Sequence, residues 1–110
     1  MERALRAVAE PRRREILALV ADQELPSGQI AAHFEVSRPA ISQHLRVLRE
    51  AGLVSERRQG TRRLYRARPE GMAELRAYLE SFWDSGLARL AGLAEERQRR
   101  LDSDESARPQ

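Results

Sequence analysis

Residues 36–54 leave the chain little choice of local structure. They read Val-Ser-Arg-Pro-Ala-Ile-Ser-Gln-His-Leu-Arg-Val-Leu-Arg-Glu-Ala-Gly-Leu-Val. The Ser37 hydroxyl can accept an N–H group of a first helical turn, which has no partner inside the helix. Pro39, in that same turn, lacks a donor that would otherwise be idle. Ile41, Leu45 and Leu48 recur at helical spacing, and Gly52 offers the positive φ on which helices commonly end. The predicted helix has an apolar back and a front of Arg38, Ser42, Gln43, Arg46 and Arg49. A bland surface helix usually mixes Glu with Lys. This front carries side chains that bond base edges or phosphates, as a DNA-recognition helix does.

The flanking sequence fits that expectation. Ser27 can cap a short helix with Ile30, Ala31 and Phe34 facing inward, and Glu35-Val36-Ser37 then form a tight turn. Helix, turn and capped second helix make a helix-turn-helix; the plainer alternative is an ordinary helical hairpin. After Gly52 the period changes. Residues 53–58 and 62–68 flank Gln59-Gly60-Thr61 and predict a β-hairpin carrying six arginines. A hairpin directly after a recognition helix is a wing, and arginines around a glycine tip suit a phosphate strand or a narrow minor groove. A solvated basic hairpin without a partner is the alternative.

The run from Ser37 to Val54, and the earlier Glu10-Pro11-Arg12-Arg13-Arg14-Glu15-Ile16-Leu17, resemble the signature of the ArsR/SmtB family of winged-helix transcriptional regulators. The resemblance covers roughly residues 4 to 95. It implies a homodimer on an inverted-repeat operator, usually a repressor. Family members that sense metals use a pair of Cys at the start of the first helix of the helix-turn-helix, where this chain has Pro26-Ser27. Others use Asp and His on the C-terminal helix, where this chain offers Glu80 and Asp84 but no His. The chain thus resembles a member lacking the known metal-site residues. Glu10 stands where the family more often has Asp, a better cap, so a less sharply fixed start is expected for the next helix.

The 110 residues, 12.6 kDa in mass, suffice for one domain with a modest core. The expected packed part is residues 1–98, with residues 99–110 a disordered tail rich in Asp, Glu, Ser and Arg. A net charge of +3 is weak evidence for nucleic acid, and its distribution says more: all 20 basic residues are Arg. Arg suits bidentate contacts to phosphate and guanine, although such usage is equally the mark of a GC-rich genome. The absence of Cys excludes disulfides and thiolate metal sites. No run of ~20 apolar residues and no secretory h-region are present, so a cytoplasmic protein without a membrane partner is expected.

Residues 2–9 predict a helix with Leu5 and Val8 on one side and Arg3 and Arg6 on the other. Pro11 opens the next helix, with Ile16, Leu17, Leu19 and Val20 buried; Leu25-Pro26 is read as connection. After Pro69-Glu70-Gly71 a long helix carries Met72, Leu75, Leu79, Phe82, Trp83, Leu87, Leu90 and Leu93 at three- and four-residue steps. That stripe is too wide for so small a domain to cover. A dimer interface of Leu5, Val8, Leu79, Phe82, Trp83, Leu87 and Leu90 is the expectation; a pocket for an apolar ligand at Phe82-Trp83 is the alternative.

Transition-metal sites want imidazole or thiolate. The two histidines, His33 and His44, both lie in the helix-turn-helix, where His44 is expected to pack or bond locally and His33 to be surface. No metal, no cofactor and no catalytic residues are expected. The fold class is mainly α with a small β-hairpin, a winged helix-turn-helix dimerising through its N- and C-terminal helices. Its partner is a double-stranded DNA operator, touched by Arg38, Pro39, Ser42, Gln43, Arg46, Arg58, Arg62 and Arg63. Two rival readings stand beside this one. Nickel-responsive regulators resembling this chain imply a metal-responsive switch completed by a separate co-regulator protein. The other is a dimeric interaction module that no longer reads DNA.

Overall fold

A computed structural model describes residues 1–107 of the chain. Two compact units emerge, residues 1–75 and a second beginning at Arg76. The first holds α1 (Glu2–Ala9), α2 (Pro11–Leu19), β1 (Leu25–Pro26), α3 (Ser27–Ala32), α4 (Arg38–Glu50), β2 (Val54–Gln59) and β3 (Arg62–Ala67). The last helix, α5 (Pro69–Ala107), starts in the first unit and makes up the second. Among the described residues no helix is long and apolar enough to cross a membrane.

The core of the first unit is built from Ile16, Val20, Ile30, Ile41, Leu45, Leu48, Leu53 and Val54, each under 2 % exposed. The stripe expected on α4 therefore faces inward as a set. The Ser37 hydroxyl accepts from the Ala40 N–H at 3.2 Å, and Gly52 ends the helix at φ +75°. Gly52 and Leu53 then donate to the carbonyls of Arg49 and Leu48, which satisfies two groups the helix leaves idle. Ser37→Ala should cost about 1 kcal/mol, read as a lower denaturation midpoint; an unchanged midpoint would show that the cap contributes nothing.

Four local expectations need correction. Ser27 does not cap α3: Pro26 holds the N-cap position, no side chain bonds there, and Ser27 is already the first helical residue. The turn between α3 and α4 spans residues 33–37, five rather than three, because α3 closes at Ala32 with Phe34 bonded back to the Ala31 carbonyl. Glu10 caps α2 well, its carboxylate accepting from the Arg12 N–H at 3.0 Å. That hydrogen bond holds its carboxyl below the usual carboxylate range. Leu25-Pro26, read as mere connection, is a third strand. Leu25 pairs with Tyr65 and Pro26 with Leu64, giving the order β1-β3-β2; proline is tolerated there because β1 is an edge.

The side of α1 facing the core carries Ala4 and Ala7, whereas Leu5 and Val8 stay half-buried beside it. Arg13 and Arg14 of α2 bind the helix to its neighbour by donating to the idle carbonyls of Arg6, Ala7 and Val8 at the end of α1. In the second unit α5 is helical through residues 99–107, a stretch expected to be disordered, with Gln98–Asp102 and Arg100–Glu96 bonded one turn apart. Residues 108–110 lie outside the described residues.

Candidate nucleic-acid interface

The cap at Ser37 and the buried stripe of α4 fix the rotation of that helix. Arg38, Pro39, Ser42, Gln43, Arg46 and Arg49 consequently stand exposed on its outer face. The hairpin of β2 and β3 turns through Gly60-Thr61, with Gln59 opposite Arg62 and Arg58 opposite Arg63. Gly60 takes φ +64° at the first position of this two-residue turn, a place that demands glycine.

Two open clefts join these elements. Pro39, Ser42, Gln43 and Arg46 share one with Arg63 and Glu56. Arg38 shares the other with Arg62, Arg63, Thr61 and the start of α3, where its guanidinium lies 3.4 Å from where a Cβ on Gly28 would stand. Seven of the eight residues expected to touch DNA thus line one of two adjoining clefts. Arg58 lines neither, although it sits beside Arg63 in the ladder.

The electrostatics are more divided than the arginine count suggests. Arg46 is held by Glu50 at 3.1 Å, one helical turn on. Arg57 makes a two-pronged pair with Glu24, at 3.1 and 2.5 Å, and the Glu24 carboxyl is lowered chiefly by that bond. Glu56 takes Arg49 at 2.5 Å and Arg63 at 3.7 Å. Arg38, Arg58 and Arg62 have no ion-pair partner among the described residues. Tyr65 donates its hydroxyl to Glu56 at 3.3 Å, and burial, then the Glu56 charge, pushes its pKa up.

Glu56 and Tyr65 are site residues that the sequence reading missed. The signal was available for Glu56: strand side chains alternate, so it shares a face with the buried Val54. The two histidines make local contacts. His44 lies 3.4 Å from the Arg13 guanidinium and His33 2.8 Å from the Gln29 carbonyl. Among the described residues no group of three or more His, Cys, Asp or Glu is placed to hold a metal ion. The residues expected at a dimer interface divide by unit. Leu5 and Val8 are in the first, while Leu79, Phe82, Trp83, Leu87 and Leu90 lie exposed in the second.

Comparison with known proteins agrees with this geometry. The model of the bacterial regulatory proteins of the arsR family matches residues 10–56. The chain is 46 % identical over 92 residues to the HTH-type transcriptional regulator Rv2034 of Mycobacterium tuberculosis, covering 84 % of this chain and 86 % of that one. It is 40 % identical over 60 residues to the transcriptional repressor SdpR of Bacillus subtilis, covering 54 % and 67 %. It also resembles the solution structure of the homodimeric winged helix-turn-helix DNA-binding domain of Mb0332 from Mycobacterium bovis. That match has a TM-score of 0.62 and 36 % identity over 76 % of this chain and 77 % of the other. These relatives are regulators rather than enzymes. The chain belongs to the ArsR family of bacterial transcriptional regulators.

Proposed function

We propose that the chain is a homodimeric repressor that binds an inverted-repeat DNA operator and occludes a promoter. The observation that carries this reading is the exposed Arg38–Arg46 face of a firmly capped α4, set beside an arginine-bearing hairpin. In it, α4 enters a major groove. Ser42 and Gln43 read base edges, Arg38 and Arg46 contact guanine or phosphate, and Pro39 meets a thymine methyl. Arg58 and Arg62 hold the flanking backbone, and Arg63 joins them as far as Glu56 releases it. The homodimeric and repressor relatives support the assembly and the direction of control. A regulator of bacterial DNA works in the cytoplasm.

Position separates two kinds of contact. Gln43→Ala should relax sequence preference by ~1–3 kcal/mol at one base pair, as loss of a bidentate base contact does. Arg62→Ala should weaken all duplexes about equally. Titration of both variants against a selected operator and a mixed-sequence duplex checks this. Equal losses on both duplexes for Gln43→Ala would sink the assignment of a base-reading role.

A further inference from the structure

Among the described residues, Glu56 is the one acidic residue lining the cleft between α4 and the hairpin. Its side chain is 15 % exposed, against 46 % for Arg49 and 53 % for Arg63. The carboxylate therefore sits at the floor while both guanidinium groups reach toward solvent. Each of its oxygens is engaged: Oε2 accepts from Arg49 and from the Tyr65 hydroxyl, and Oε1 faces Arg63. One anion thus holds two cations, one from the end of the recognition helix and one from the wing.

We propose that Glu56 is a specificity-determining residue, which withholds Arg49 and Arg63 from DNA phosphates and so suppresses binding to the wrong sequence. The proposal rests on the DNA-reading assignment above. Affinity for random DNA comes almost wholly from phosphates neutralised by Arg or Lys, with release of their counterions. A phosphate approaching this cleft must compete with Glu56 for both guanidinium groups and is repelled by the carboxylate itself. Partial burial leaves that competition less screened by salt than an exposed ion pair would be. Base-edge contacts from Ser42 and Gln43 involve no phosphate and lose nothing. Specificity is a difference between two affinities: on the operator, base contacts fix the seat of α4 whether or not these two arginines reach phosphate, whereas random DNA is held by phosphates alone and gains most when they are freed.

The test is the salt dependence of binding by wild type and Glu56→Gln to a mixed-sequence 30-base-pair duplex and to an operator recovered from genomic fragments. Glutamine keeps the size and a carbonyl oxygen for Tyr65 but frees both arginines. Glu56→Gln should bind the mixed duplex about tenfold more tightly at low salt. Its log–log salt slope should steepen by ~0.9 for each phosphate gained, and the preference for operator should fall. Glu56→Gln combined with Arg49→Ala should recover about one such increment. A structural clamp predicts the reverse sign, weaker binding to both duplexes. That result, or an unchanged slope in a variant that melts like wild type, overturns the proposal alone. Wild-type chain that binds neither duplex removes the DNA reading itself, and this proposal with it.

Discussion

Trp83→Ala should sediment as a monomer at micromolar concentration and lose operator binding while the first unit keeps its fold. Trp83 is 64 % exposed in the single chain, and Phe82 and Leu90 beside it on α5 are equally bare. A contiguous apolar surface of this kind marks an interaction site, and the proposed occupant is the same helix of a second copy. The core of residues 1–75 does not contain Trp83, so its removal leaves that core intact. Truncating a large aromatic buried at an interface costs ~3–5 kcal/mol. At 1.4 kcal/mol per tenfold, dimer dissociation should rise at least about a hundredfold. In the proposed dimer, operator affinity depends on two copies of α4 held ~34–36 Å apart in successive major grooves. It should fall with the dimer, because the second half-site no longer binds as part of one body. Weak binding to random duplex should persist. A wild-type monomer that still binds a two-fold site would refute the picture, as would a Trp83→Ala dimer of unchanged strength.

What the sequence disclosed follows the range of the forces involved. The Ser37 cap, the stripe of Ile41, Leu45 and Leu48 and the stop at Gly52 act within one or two helical turns, and all were legible. The strand at Leu25-Pro26 was not. It is two residues long, and its partners Leu64 and Tyr65 lie 38 and 40 positions away. Nor was the side of α1 that faces the core. Hydrophobicity favours Leu5 and Val8, but the buried residues of α1 are Ala4 and Ala7. Such packing depends on shape, which a hydropathy pattern does not encode.

The interface shows the same division. Its exposed residues were legible because burial of one face of α4 dictates the other. Their pairing was not, since Glu24 meets Arg57 across 33 positions. A basic composition suggests a uniformly cationic surface. The fold instead spends part of that charge internally, on Glu50, Glu56 and Glu24, and leaves Arg38, Arg58 and Arg62 unpaired among the described residues.

Gly71→Ala should destabilise the first unit by roughly 2–3 kcal/mol, although helix propensity alone predicts a gain. Gly71 lies in the first turn of α5, where alanine is favoured over glycine by up to about 1 kcal/mol. A Cβ at this position would overlap the Gly52 carbonyl oxygen and stand 3.0 Å from the Gly52 carbonyl carbon. Both are backbone atoms, so no side chain can swing aside. Gly52 is also fixed from several directions. It holds φ +75°, donates to the Arg49 carbonyl and accepts from the Arg68 guanidinium at 2.9 Å. Its neighbour Leu53 is bonded to Leu48 on one side and to Arg68 on the other. Relief would have to move the end of the recognition helix or the start of α5. Overpacking of this kind costs ~1–3 kcal/mol and occasionally more. For a unit of this size the melting temperature should drop by ~10 °C or more. Gly92→Ala is the control, because a Cβ there meets nothing within 4 Å; it should melt no lower than wild type. Gly71→Ala melting at or above wild type would show that α5 does not rest on Gly52.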